Sequence, residues 1–194
     1  SFVSMAVIVP TLIGAAIAVQ LCKKYDKFKI FYFSYMFALI LGIVRYIAGY
    51  ENMMVYVILN ALGGFPLGIA AILQYQFTPD CYEYGQYKTG LKMRGVTFAA
   101  QTFFTKLNGA IATAVSVFAL TLIGFKEGEG VIQAAGFADK LWTFSCLGSI
   151  IGGIGTLLIL RLYKLNDHDV QLMSKCNNGE ITREEAEAQM INRY

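Results

Sequence analysis

Charge is what this sequence has least of: Asp, Glu, Lys and Arg make up 15% of its 194 residues, against about 25% in an average soluble domain. A soluble domain of this length buries about 70% of the surface its unfolded chain exposes and needs charge to coat the rest. The shortage excludes an ordinary water-soluble globule. A hydrophobic fraction of 56% and a mean hydropathy of +0.52 point instead to a bilayer as solvent. Histidine is nearly absent, and Cys22, Cys81, Cys146 and Cys176 stand apart without a CxxC or other ligand spacing. No metal site or disulfide framework follows. A nucleophile with its base, paired metal ligands and a phosphate-binding glycine loop are all missing too, which argues against an enzyme. The net charge of +3 falls in clusters between apolar blocks rather than on one face, which argues against a nucleic-acid partner. There is no initiator Met, basic n-region or cleavage site before the apolar run that holds Ser1, so the chain reads as a piece of something longer.

What is present is a series of long apolar blocks. About 20 such residues cross roughly 30 Å of hydrocarbon, and five blocks qualify: Ser1 to Leu21, Phe28 to Tyr46, Met53 to Phe77, Val96 to Phe125 and Leu141 to Leu162. At this length they are helices, since barrel strands are about ten residues long and alternate. The connections are Cys22 to Lys27, Tyr50 to Asn52, a polar stretch from Asp80 to Arg94, and Lys126 to Lys140. Lys23, Lys24, Lys27, Lys29, Lys88, Lys92, Arg94 and the basic residues after Leu160 share one side of the membrane, leaving Arg45, Lys126 and Lys140 on the other. By the positive-inside rule the richer side, with the tail, is cytoplasmic and Ser1 is outside. An odd number of spans and the lack of an internal repeat again suggest truncation.

Lys106 is the most informative single residue. It lies about ten positions, or roughly 15 Å, into the fourth span, near the midplane, where a lone cation is costly unless it faces protein or water. Gln101, Thr102, Thr105, Asn108, Thr113 and Ser116 share its arc, while Phe103, Phe104, Leu107, Ile111 and Phe118 occupy the opposite one. The wet face is either a polar seam joining helices, with Lys106 paired to an internal carboxylate, or the wall of a substrate or ion path. In the third span Asn60, Gly64, Ala71, Gln74, Tyr75 and Thr78 project together, and Gly63, Gly64 and Pro66 can break or kink the helix. That pattern suits a cavity wall or a simple packing kink. Gly14 to Ala18 with Pro10, and the GxxxG of Gly148 to Gly152, read as close-packing grooves.

The segment Asp80-Cys81-Tyr82-Glu83-Tyr84-Gly85-Gln86-Tyr87-Lys88, with Gly95 and Gln101-Thr102-Phe103-Phe104-Thr105-Lys106 after it, resembles the glycoside-pentoside-hexuronide:cation symporters of the major facilitator superfamily. The resemblance extends in looser form from Pro10 to about Leu165. It implies an all-α integral membrane protein, here spans eight to twelve of a twelve-span fold over residues 1–165, followed by a short helical cytoplasmic tail over 166–194. It implies alternating access in the cell membrane, with Lys106 between the two bundles and Asp80, Glu83 and Tyr84 at a cytoplasmic gate. Taken with the polar helix faces, Lys106, Gln101, Thr105, Asn60 and Gln74 are the residues expected to bind or couple substrate, and Arg94 is expected beside the gate. Arg94 departs from the acidic residue usual in the family before Gly95. The implied partners are a small sugar or glycoside, the lipid bilayer and the absent amino-terminal bundle. No cofactor is implied beyond a coupling sodium ion or proton, whose ligands belong to that absent half. A non-transporting sensor or scaffold of the same fold, acting through its tail, is the competing reading.

After Leu165 the chain turns polar. Thr182 with Glu185 forms a capping box, and Gly179 ends a preceding helix, so two short helices joined by a turn are expected. They form either a partly ordered appendage or an oligomerisation or regulatory module. His168 reads as an exposed tail residue rather than a ligand.

Overall fold

The computed structural model describes residues 2–128 and 132–194. Ser1, with which the first expected span opens, and residues 129–131 of the connection from Lys126 to Lys140 lie outside the described residues. Among the described residues seven helices follow in order: α1 Phe2–Leu21, α2 Lys27–Ala48, α3 Met53–Thr89, α4 Arg94–Leu122, α5 Phe137–Leu160, α6 Asp167–Asn177 and α7 Arg183–Gln189. Helices α2 to α5 are each long and apolar enough to cross a bilayer, and Met5–Leu21 of α1 adds a shorter apolar stretch. Side-chain caps set the starts of α2 and α3. Asp26 accepts from the Phe28 and Lys29 amides, and Asn52 accepts from those of Met54 and Val55.

Helix α3 corrects the expected boundary. The sequence reading ends the third span at Phe77 and assigns Asp80 to Arg94 to a loop, whereas the helix runs on to Thr89, about three further turns. It stops at Gly90, whose φ of 71° closes it in the left-handed region. The polar residues of the extension are compatible with helix because α2 and the tail supply their partners. The helix is not broken at mid-span: Gly63, Gly64 and Pro66 lie inside α3, as does Pro79.

The small residues of α3 serve the contact with α1. A Cβ at Gly64 would stand 2.7 Å from the Val7 carbonyl oxygen, and one at Gly68 would overlap the Thr11 carbonyl outright. From the other side a Cβ at Gly14 would overlap the carbonyl of Phe65. The two backbones therefore touch, which only glycine allows. The groove expected around Gly14 and Ala18 is thus present, with Ala18 fully buried. The GxxxG of the fifth span behaves otherwise: a Cβ at Gly148 or Gly152 would meet nothing within 4 Å, and it is Gly153 that packs, against Leu39 of α2. Ala18, Ile30, Phe31, Ile69, Ala70 and Leu73 form the core where α1, α2 and α3 meet. α5 packs on the outer side of α2, while α4 touches only α3 to any extent and leaves nearly its whole surface open.

The tail is ordered around a fully buried carboxylate. Asp169 accepts from the amides of Ile191 (2.8 Å) and Asn192 (3.0 Å), from Asn166 Nδ2 and from the Tyr194 hydroxyl. The expected capping box is also there: the Glu185 amide donates to Thr182 Oγ1 and the Thr182 amide to the Glu185 carboxylate. His168, with a side chain 54% exposed, has its neighbour Asp169 as its side-chain hydrogen-bond partner among the described residues. Burial alone opposes charge on Asp169, but the Ile191 and Asn192 amides and the Asn166 side chain outweigh it and hold the carboxyl below its ordinary range. A carboxyl lowered in the folded state stabilises fully above its unfolded value, about pH 4, and loses that contribution as pH falls through the lowered one. Acidification below pH 4 should therefore free residues 190–194, read as faster amide exchange at Ile191 and Asn192. Asp169→Ala should free them at neutral pH, since it strands two amides at about 1–3 kcal/mol each.

Candidate functional site

Asp80 lies in the extension of α3 and is 5% exposed. Its Oδ1 accepts from Lys27 Nζ at 2.7 Å, and the same ammonium stands 3.3 Å from Asp167 Oδ1. The starts of α2 and α6 are cross-tied: the Lys27 amide donates to Asp167 Oδ2 (2.8 Å) and the Asp167 amide to Asp26 Oδ2 (2.9 Å). Each carboxylate thus sits at the positive end of the other's helix, the place where a negative charge is favoured. One lysine and three aspartates thereby bind α2, α3 and α6 together. A buried ion is costly once its partner is removed. Lys27→Met alone should destabilise the protein by about 3–5 kcal/mol, whereas Lys27→Met with Asp80→Leu should recover most of the loss, read from thermal unfolding of the purified protein.

The other expected gate residues line the same end. Glu83 accepts from Asn177 Nδ2 through both its carboxylate (2.8 Å) and its backbone carbonyl (2.9 Å). Tyr84 meets Tyr194 edge to face at 5.8 Å. Tyr87 donates to Glu187 at 3.1 Å beneath the guanidinium of Arg183. Asp80, Glu83 and Tyr84 are therefore brought together along one stretch of α3, all of them touching α2 or the tail. Arg94 opens α4 beyond Gly90, with its guanidinium over the Phe98 ring at 5.8 Å.

The residues expected to bind or couple substrate fall into two places. On α4, Lys106 and Thr105 are exposed and Gln101 is half-buried. Thr105 bonds back to the Gln101 carbonyl (2.8 Å), and Lys106 has no hydrogen bond or ion pair among the described residues. Gln74 of α3 is exposed. Asn60 lies instead against α2: its Oδ1 accepts from Arg45 Nη1 at 3.1 Å, and its Nδ2 donates to the Tyr56 carbonyl. Arg45 also lies 5.6 Å over the Trp142 ring of α5, beside a cavity of about 250 Å³ lined by Asn60, Gly63 and Ile150. Sequence reasoning missed Arg45, which it used only to count charge, although an arginine in the last turn of an apolar helix was a visible signal. It missed Asp167 and Asn177 for a different reason, since nothing local ties position 26 to 167 or 83 to 177. Among the described residues no group of His, Cys, Asp and Glu could hold a metal ion.

A family model described as MFS/sugar transport protein matches residues 1–167. The chain belongs to that family. Its members are membrane transporters of the glycoside-pentoside-hexuronide:cation symporter group rather than enzymes, and this member is a multi-pass membrane protein. It is 25% identical over 91% of its length to a provisionally assigned sulfoquinovose importer of Escherichia coli. A provisionally assigned glycoside/cation symporter of the same organism, YagG, is 22% identical over 85% of the chain, and its inner membrane symporter YicJ is 21% identical over 84%. The chain spans 38%, 36% and 35% of the lengths of those three proteins. No solved structure matches it significantly.

Proposed function

We propose that the chain is the part of a cation-coupled sugar or glycoside symporter that holds spans eight to twelve of a twelve-span fold, with residues 166–194 a cytoplasmic tail. The observation that carries this reading is Lys106, a mid-span ammonium on the polar face of a helix that its own bundle leaves open. An intramembrane cation is kept where it faces an aqueous path or a partner charge. In this reading α4 borders a central cavity completed by the other bundle, where Lys106, Gln101 and Thr105 meet sugar hydroxyls or a coupling-linked carboxylate. Gln74 lies on the neighbouring helix. Asn60 acts through Arg45, setting the side of the cavity remote from the tail. The coupling ion is sodium or a proton, held by carboxylates of the other half.

Asp80, Glu83, Tyr84 and Arg94 would form the cytoplasmic gate, and the contacts of Asp80 with Lys27 and of Glu83 with Asn177 let the tail helices move with α3 as that gate opens. The names of the relatives, a glycoside/cation symporter and a sulfoquinovose importer among them, support a polyhydroxylated substrate. The test is accumulation of a labelled glycoside by sealed vesicles containing the full-length protein. Uphill uptake that requires an inward sodium or proton gradient supports symport, and binding without flux supports the sensor or scaffold reading in its place.

A further inference from the structure

Two hollows adjoin at the tail end of the bundle. One, of about 930 Å³, opens between the α1–α2 turn, the α5–α6 connection and the last residues of the chain. Lys23, Lys24, Lys29, Lys164 and Arg193 line it. Its two acidic residues are already engaged: Asp26 accepts from the Phe28, Lys29 and Asp167 amides, and Asp167 from the amide and ammonium of Lys27. None of the five cations has an ion-pair partner among the described residues. With five cations against two carboxylates, one of them already paired with Lys27, the hollow carries an excess of positive charge.

The second hollow, of about 420 Å³, is almost wholly apolar and shares Tyr25 and Lys29 with the first. From Lys29 it continues along Phe33 and Phe37 of α2, with Phe65 and Ile69 of α3 on the far wall. Residues 29, 33 and 37 follow one another at successive turns, so the groove descends about 12 Å along the helix. That is most of the thickness of one leaflet, about 15 Å. Both Phe33 and Tyr25 stay about 60% exposed. The basic hollow begins where α1 ends and α2 starts, at headgroup level, and the apolar one enters the hydrocarbon below it.

We propose that the two hollows are one binding site for an anionic phospholipid, with its phosphate held by Lys24, Lys29 and Lys164 and an acyl chain lying along Phe33 and Phe37. The match is in charge, in polarity and in the order of the two along the membrane normal. Juxtamembrane lysines attract anionic headgroups, and the apolar groove rewards a chain over a free anion. Tyr163, stacked on Phe28 at 5.3 Å, forms the floor on which the headgroup rests. The site is independent of the transport reading, because it uses neither Lys106 nor the gate carboxylates.

The test is native mass spectrometry of the purified full-length protein with phosphatidylglycerol, phosphatidylcholine of the same chains, and soluble glycerol 3-phosphate. Phosphatidylglycerol should stay bound and phosphatidylcholine should not. Neutralising three lysines (K24Q/K29Q/K164Q) should weaken phosphatidylglycerol binding on the order of 100-fold. F33A/F37A should weaken it several-fold while leaving the preference for the anionic headgroup. Equal retention of both lipids, or unchanged binding in the lysine variant, would overturn the site. Displacement of the lipid by glycerol 3-phosphate at comparable concentration would also overturn it, in favour of a free-phosphate site. Should the lysine variant not fold, the wild-type protein decides: phosphatidylglycerol should raise its melting temperature and phosphatidylcholine should not, and equal shifts refute the proposal.

Discussion

Lys106→Met in the full-length transporter is expected to reduce uphill glycoside accumulation to the level of vesicles without protein, at equal protein content in the membrane. Methionine keeps the length and flexibility of the side chain but supplies neither donors nor charge. If the ammonium binds sugar hydroxyls, substrate loses its hydrogen bonds. If it pairs with a cavity carboxylate, that acid is left unpartnered and its link to cation occupancy is broken. Both routes end uphill transport. Lys106→Arg is expected to be impaired as well, because a planar guanidinium does not fit a site shaped for a compact ammonium. The position on α4 makes the experiment clean for folding: the side chain is exposed and has no partner within the described residues, so its loss removes nothing from the packing of this bundle. Accumulation at the wild-type level by Lys106→Met would return the residue to a helix-joining role.

Gly68→Leu should force α1 and α3 apart. The position of its Cβ overlaps the Thr11 carbonyl oxygen and lies 3.0 Å from the Ala15 amide nitrogen, and both are backbone atoms that cannot rotate aside. The only relief is to part α1 from α3 along the seam that Gly14 and Gly64 also hold closed. In a bilayer, helices associate through such close packing because lipid already satisfies their apolar surface. The cost should reach about 3 kcal/mol, the upper range for overpacking, read as a lowered melting temperature and loss of monodisperse protein on purification. Gly63→Ala is the control. Its Cβ would meet nothing within 4 Å, and exchanging a helical glycine for alanine should leave stability unchanged or raise it by up to about 1 kcal/mol. Equal damage from both substitutions would refute the seam as the source of the effect, since both replacements raise helix propensity.

These two positions mark different degrees of legibility. Lys106 stands out in the sequence alone, since a cation in the middle of an apolar block is costly wherever the helix packs. Gly68 does not, because a helical glycine reveals neither which backbone approaches it nor how closely. The GxxxG of α5 looked equally suited to packing, yet Gly148 and Gly152 face open space and the contact falls on Gly153. The same limit applied to Asp80 to Thr89, where polar composition suggested a loop. Helix prevailed there because Asp80, Glu83 and Tyr87 find their partners at Lys27, Asn177 and Glu187, the last two about a hundred residues away.

The sequence by itself determined the solvent, the apolar blocks that become helices, the capping box at Thr182, and the family to which the chain belongs. Each follows from composition or from groups a few residues apart, and short-range chemistry is written in order along the chain. Only the tertiary structure decided how far α3 extends, which glycines touch a neighbouring helix, how Asp26 and Asp167 exchange helix ends, and that Arg45 joins Asn60 to Trp142. Those outcomes depend on which distant groups come within hydrogen-bonding or van der Waals distance, and that proximity exists only once the helices have packed.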